Sequence, residues 1–183
     1  MNKEAAMSPR ILVTYATRAG STASVAEFVG KTLAEAGCQV DVRPMSDVDD
    51  LSPYDALVAG SAIQSKQWLP EAMEFWQTNQ AALREMPCAV FLVCMTLAMS
   101  NADRFREEVA SFLDPVRAIV TPVSEGMFAG ALDISTVPYF RARLGFRLSV
   151  LFGVWSEGDH RDWHAIRAWA YTLPPLLLPG DGQ

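Results

Sequence analysis

The strongest constraint on this chain is a repeated change of hydrophobic period. Short, continuous apolar runs alternate with apolar stripes at helical spacing, about every 35 to 40 residues. The run Ile11–Ala16 is rich in branched residues and ends in a Thr/Gly/Ser cluster, the pattern of a strand buried on both faces. It is followed by Ser21–Ala36, where Val25, Phe28, Val29, Leu33 and Ala36 share one helical stripe, and Gly37 stops the helix. Cys38, Val40 and Val42 then alternate with polar residues, which predicts a strand near a sheet edge.

The unit recurs. Tyr54–Ala62 reads as a second fully apolar strand, and Leu69, Ala72, Met73, Trp76 and Leu83 mark a helix face behind Pro70, a residue suited to a first helical turn. Cys88–Met95 is the next strand, and Phe105, Val109, Phe112 and Leu113 mark a helix that Pro115 is expected to end. A strand over about Arg117–Met127 contains Pro122, which an edge tolerates and a central strand does not. A last helix starts near Asp159, which is expected to cap it, and buries Trp163, Ile166, Ala170 and Leu173. This alternation predicts an α/β fold, a doubly wound five-stranded parallel sheet of order 2-1-3-4-5 with helices on both faces. The segment Phe128–Gly158 stands outside the rhythm, as an insert before the last helix. At 183 residues the chain has room for one domain, 1–183, able to bury about 70% of its unfolded surface.

In such a sheet ligands bind beyond the carboxyl ends of the strands, near the switch point. Three loops leave that edge. Thr17, Arg18, Ala19, Gly20, Ser21 and Thr22 supply hydroxyls, a turn glycine and a helix N-terminus, a combination that attracts phosphate. The simpler alternative is that Ser21 or Thr22 only caps the helix. The loop has neither the Gly-Lys-Ser/Thr ending of a Walker loop nor the three glycines of a dinucleotide fingerprint. The second loop is Gly60, Ser61, Ala62, Ile63 and Gln64, and the third is Thr96, Leu97, Ala98 and Met99.

The first loop resembles the flavodoxin phosphate loop, Thr-x-Thr-Gly-x-Thr, with Thr17, Gly20 and Thr22 matching and Ala19 standing where the family has a hydroxyl. The resemblance implies FMN as cofactor, its phosphate on that loop and its ring between the other two. Ser61, Ala62, Ile63, Gln64, Thr96, Leu97 and Ala98 would border the ring, Ile63 and Leu97 covering its faces. The usual flanking Trp and Tyr are missing there; Trp68 is a substitute or, alternatively, a packing residue. Together with Phe128-Ala129-Gly130-Ala131-Leu132-Asp133 and Gly158-Asp159-His160-Arg161-Asp162-Trp163, the sequence is similar to the flavodoxin-like, quinone-dependent protoporphyrinogen oxidases of heme synthesis. The implied activity is oxidation of protoporphyrinogen IX, with the electrons passed to a membrane quinone. The alternatives are a flavodoxin-like electron carrier without an organic substrate and an FMN-containing regulatory module. The resemblance names no catalytic acid or base.

Charge bears on partners. Fifteen basic and twenty-one acidic side chains give −6, so no basic footprint for nucleic acid is present. Against that background Ile134–Ser156 contains no acid, while Arg141, Arg143 and Arg147 stand among Tyr139, Phe140, Leu144, Phe146, Leu151, Phe152 and Trp155. Arginines in apolar company suit porphyrinogen propionates or an anionic membrane surface. A basic surface loop or a homo-oligomer contact is the plainer alternative. Cys38, Cys88 and Cys94 lack metal-ligand or CxxC spacing and fit a reducing cytoplasm. His160 and His164 have no third ligand in reach, so no metal is expected. Residues 1–10 lack a signal-peptide core, and every apolar run is broken before the ~20 residues of a membrane span. The expected location is the cytoplasm, with attachment to the inner face of the cell membrane as a further option.

Overall fold

A computed structural model describes residues 9–132 and 157–178. The expected alternation is present. β1 (Arg10–Ala16), β2 (Gln39–Pro44), β3 (Ala56–Gln64), β5 (Cys88–Val93) and β6 (Ser124–Phe128) form a parallel sheet of order β2-β1-β3-β5-β6. A two-residue strand, β4 (Gln67–Trp68), pairs antiparallel with the end of β3 and lies off that path. Counting the parallel strands alone, the order is the predicted 2-1-3-4-5. The two strands with weaker apolar character, β2 and β6, are the edges.

Helices cover both faces because the central strands are apolar on both. α1 (Ser21–Glu35) packs Val25, Ala26, Val29 and Leu33 onto Ile11, Val13, Val58 and Phe91, and shares that layer with Ile166 and Ala170 of the helix α6 (Trp163–Thr172). On the other face, α2 (Pro70–Thr78), α3 (Gln80–Leu83) and α4 (Arg106–Ser111) bury Ala72, Trp76, Leu83 and Val109 against Leu12, Leu57, Val90 and Leu92. A full turn, α5 (Asp114–Arg117), follows α4. In the layer under α1, Gly60 of β3 lies against Phe91: a methyl group there would lie 2.1 Å from the ring.

Several boundaries differ from expectation. Pro115 does not end a helix; it sits in the first turn of α5, where its missing N–H costs nothing. The last parallel strand starts at Ser124, so Pro122 lies just before it and Arg117 belongs to α5. β3 starts at Ala56: Tyr54 N donates to Leu51 O at 3.0 Å in a turn, and the Tyr54 hydroxyl donates to Asp41 Oδ2 at 2.9 Å. The cap of α6 is Asp162, whose Oδ1 accepts from Ala165 N at 2.9 Å, and Asp159 is instead paired with Arg161. Cys88 and Cys94 are buried and Cys38 half-buried, all as free thiols. Burial pushes the Cys88 thiol up to about 12, so it behaves as a small apolar group.

The excursion after β6 begins and ends in a two-stranded ribbon. β7 (Ala131–Leu132) pairs antiparallel with β8 (Gly158–Asp159), Ala131 opposite Asp159 and Leu132 opposite Gly158. Arg141, Arg143 and Arg147 lie outside the described residues.

Candidate functional site

The register β1–β3–β5 brings the three predicted loops to one edge. Ala16 is the partner of Ser61, and Ala62 is the partner of Val93. The first loop turns at Gly20, whose φ of +85° lies in the left-handed region that a side chain disfavours, and Gly20 N donates to Thr17 Oγ1 at 3.1 Å. Gly20 is also the N-cap of α1, and no side chain caps the helix. Neither Ser21 nor Thr22 therefore plays the plain capping role. The first-turn N–H groups face the loop with the positive end of the helix dipole behind them.

Thr22 is fully buried, and its Oγ1 has no hydrogen-bond partner among the described residues. A buried hydroxyl without a partner is costly, and here it lies in the first turn of the helix, among donors of the same kind. Ser21 is half-buried and Arg18, Ala19 and Gly20 are exposed. Arg18 reaches across to Glu71 in the first turn of α2, pairing Nη1 with Oε1 and Nη2 with Oε2, the latter at 2.9 Å. Partial burial tends to raise the Glu71 carboxyl, but the hydrogen bonds and charge of Arg18 outweigh it and hold the group below its ordinary range.

The second segment is not a loop. β3 runs on through Ser61, Ala62, Ile63 and Gln64, then reverses at Ser65 and Lys66, with φ of 52° and 64°, into β4. Ser61 is fully buried, and its Oγ donates to Ala62 O at 2.8 Å and accepts from Leu69 N at 3.2 Å. Its hydroxyl therefore braces the strand-to-α2 connection. Trp68 is a packing residue: it is buried, donates Nε1–H to Phe112 O at 2.7 Å, and meets Trp76 edge-on at 6.4 Å. The third segment, Met95–Ala98, is a single 3₁₀ turn; Thr96, Leu97 and Ala98 are half-buried, and Leu97 and Ile63 lean on the same core layer.

The start of the excursion lies beside this edge. Cys94 N donates to Phe128 O at 2.9 Å, and a methyl group on Gly130 would stand 3.3 Å from Met95 sulfur and 3.5 Å from Ser21 Oγ. His160 N donates to Gly130 O at 3.1 Å, so the returning strand is tied to the same point. Sequence reasoning missed Glu71, Gly130 as a neighbour of Ser21, and the Ser65–Lys66 reversal. Only the second was within reach, through the Phe128–Asp133 motif.

A flavodoxin-domain model matches residues 12–146 of this sequence. The chain belongs to the flavodoxin family. A protoporphyrinogen IX dehydrogenase [quinone] of Leishmania major is 26% identical, over 96% of this chain and 80% of that protein. The enzyme of the same name from Escherichia coli K12 is 28% identical over 46% of this chain and 48% of its own length. Among solved structures, a short-chain flavodoxin associated with a bacterial microcompartment covers 90% of this chain and 96% of itself, with a TM-score of 0.58 at 17% identity. A Streptococcus pneumoniae flavodoxin covers 90% and 97%, with a TM-score of 0.54 at 17% identity. These likenesses fix the fold, and the named relatives are oxidoreductases. Flavodoxins bind FMN, and FMN is the cofactor of this family member. The residues present fit it: the partnerless Thr22 hydroxyl and the uncapped N-terminus of α1 are donors suited to a phosphate. Among the described residues no cluster of His, Cys, Asp or Glu suits a metal ion, and no helix is long and apolar enough to cross a membrane.

Proposed function

We propose that this protein is an FMN-dependent oxidoreductase that oxidises protoporphyrinogen IX to protoporphyrin IX and passes the electrons to a quinone. One FMN-binding domain spans 1–183, and the insert at about 128–158 supplies the substrate side. The observation that carries this reading is the base of the insert. β7 and β8 close it beside Ser21 and Met95, next to the flavin edge, and the match to the Leishmania dehydrogenase extends over 96% of the chain. A pure electron carrier has no use for an acid-free arginine segment anchored at that point.

Bound FMN would supply the redox chemistry two electrons at a time, so the six-electron oxidation takes three flavin cycles and reduces three quinones. The chain supplies binding and orientation. The N–H groups at the start of α1 and the hydroxyls of Thr17, Ser21 and Thr22 hold the phosphate. The backbone of 61–64 and 96–98 borders the ring, with Ile63 and Leu97 excluding water from its faces. Arg141, Arg143 and Arg147 meet the propionates of the porphyrinogen, and the same apolar, basic segment brings a cytoplasmic protein to an anionic membrane surface where quinone resides.

The test is turnover of protoporphyrinogen with a soluble quinone, by the parent and by a chain whose Val137–Trp155 segment is replaced by a Gly/Ser linker. The paired ends at Leu132 and Gly158 make such a replacement tolerable for the scaffold. Both proteins should be yellow and release FMN on denaturation, and only the parent should oxidise the porphyrinogen. Equal turnover by the two removes the insert from the substrate site. Electron exchange with a reductase and no porphyrinogen oxidation by either makes the protein a carrier.

A further inference from the structure

The exposed turn 18–20 and the start of α2 are 53 residues apart in sequence, yet one two-point ion pair joins them. Among the described residues this is the side-chain bond that ties the phosphate turn to another element; the Gly20–Thr17 and Ser24–Gly20 bonds stay within the turn and its own helix. We propose that Glu71 is a positioning residue of the flavin site: through Arg18 it latches the first loop to the β3–α2 corner, so that both walls of the site are fixed relative to each other before cofactor binds. The inference rests on the FMN reading of this edge.

Three observations support a latch over a phosphate contact for Arg18. Its guanidinium presents two nitrogens to two oxygens of one carboxylate, the planar fork geometry that orders both partners. Glu71 has a local reason to stay where it is, because it lies in the first turn of α2 behind Pro70, where a negative charge is favoured. The α2 corner is rigid for its own reasons. Leu69 N is held by Ser61 Oγ, Trp68 is packed on Trp76, and Lys66 in the hairpin turn is paired with Glu108 of α4. A turn whose residues Arg18, Ala19 and Gly20 are exposed gains order by being tied to such a corner, and a preordered loop binds its ligand with a smaller entropic loss.

The pair is partly exposed, so its effect is modest, and an uncoupled loop should weaken flavin binding by about three- to fivefold. Full-length Glu71→Gln and Arg18→Gln should raise the dissociation constants of FMN and of riboflavin by that same factor. The double variant should be no worse than either single one. The reversed pair, Arg18→Glu with Glu71→Arg, should recover most of the parent affinity and lose it again as salt is raised. If Arg18 instead contacts the phosphate, Arg18→Gln weakens FMN and leaves riboflavin unchanged, and the reversed pair binds FMN worst of all; that result overturns the latch. Unchanged constants for Glu71→Gln overturn it too.

A second readout needs no flavin. Trypsin cuts after arginine, so cleavage between Arg18 and Ala19 in the flavin-free chain, followed by the appearance of the fragment that ends at Arg18, should be faster in Glu71→Gln than in the parent. Equal proteolysis of parent and Glu71→Gln rejects the latch even where flavin binding is normal. A parent that takes up no flavin but shows protected Arg18 rejects the FMN reading and leaves the latch standing as a property of the fold.

Discussion

Two chain segments leave the sheet side by side, from the paired residues Ala16 and Ser61, and they solve opposite problems. After β1 the chain bends at once, exposes Arg18, Ala19 and Gly20, and leaves a buried hydroxyl at Thr22 without a partner among the described residues. From Ser61 the chain keeps the β3 strand conformation to Gln64, reverses in two residues and satisfies the buried Ser61 hydroxyl twice. The first segment leaves polar groups in reserve. The second consumes its polar groups internally and forms a wall at the same sheet edge. Hydroxyl residues at equivalent edges of one sheet thus have different energetic roles, and the accounting of hydrogen bonds separates them.

The largest expected effect tests the wall. Gly60→Ala places a methyl group within 2.1–2.4 Å of three Phe91 ring atoms. Phe91 is fully buried and is itself held by Phe128 and Trp169, with ring centroids 6.2 and 6.0 Å away, so the ring has nowhere to retreat. Overpacking of this kind costs about 1–3 kcal/mol, and the closeness here puts the loss at about 3. Urea denaturation of the FMN-free protein measures it. A variant as stable as the parent would show that the β3 segment is looser than the packing implies.

Next in size is Thr22→Val, which keeps the shape and removes the reserved hydroxyl. FMN affinity should fall by about 1–3 kcal/mol, while the FMN-free protein should be no less stable, because no internal hydrogen bond is broken. Titration of the two proteins with FMN, alongside their denaturation curves, separates the terms. Unchanged affinity would remove Thr22 from the phosphate site.

Ser61→Ala should do the reverse. It leaves Leu69 N–H buried and unpaired, a loss of about 1–2 kcal/mol in stability, with FMN affinity nearly constant once the protein is folded. If affinity falls more than stability, Ser61 belongs with Thr22 among the ligand groups, and the contrast between the two segments fails.

What was legible in the sequence follows the same division. Period and burial decide strands and helix faces, so the edge character of β2 and the core stripe of α1 could be read from apolar residues, and with Pro122 marking β6 as the other edge the sheet order followed. The turn after β1 was legible because glycine and hydroxyls mark it. The β3 extension was not, since Ser65 and Lys66 adopt positive φ without the Asn or Gly that normally announces a two-residue hairpin. Pro115 misled, and Pro122 pointed rightly to an edge strand but wrongly to its bounds, for one reason: proline reports a missing donor, which suits a helix start, a strand edge and the residues just before a strand equally well. The choice between Asp159 and Asp162 as cap depended on which carboxylate Arg161 takes, a tertiary fact. The Arg18–Glu71 bond had no local signal at all.

The smallest expected effect carries the comparison to the base of the insert, where a polar group is also consumed internally. Asp159 accepts from Arg161 Nε at 2.7 Å and from Nη2 at 2.8 Å, and Arg161 in turn lies over the Trp163 ring at 4.5 Å, which meets Phe28 of α1 edge-on. The hydrogen bonds from Arg161 are the main cause that lowers the Asp159 carboxyl to about 2, against a smaller opposing contribution from burial. A carboxyl lowered on folding stabilises the folded state above its unfolded pKa, about 4, and loses that contribution as pH falls toward 2. The pair is partly exposed, so solvent screens it and the effect is local opening of the β7–β8 ribbon, well short of global unfolding. Hydrogen exchange at His160 N–H, which bonds Gly130 O across the base of the insert, should therefore lose protection between pH 4 and pH 2 after correction for the intrinsic rate. Asp159→Asn should show the reduced protection already at neutral pH and no further loss over that window. Identical protection in parent and variant at pH 7 would mean that the ribbon is held by its backbone pairing alone.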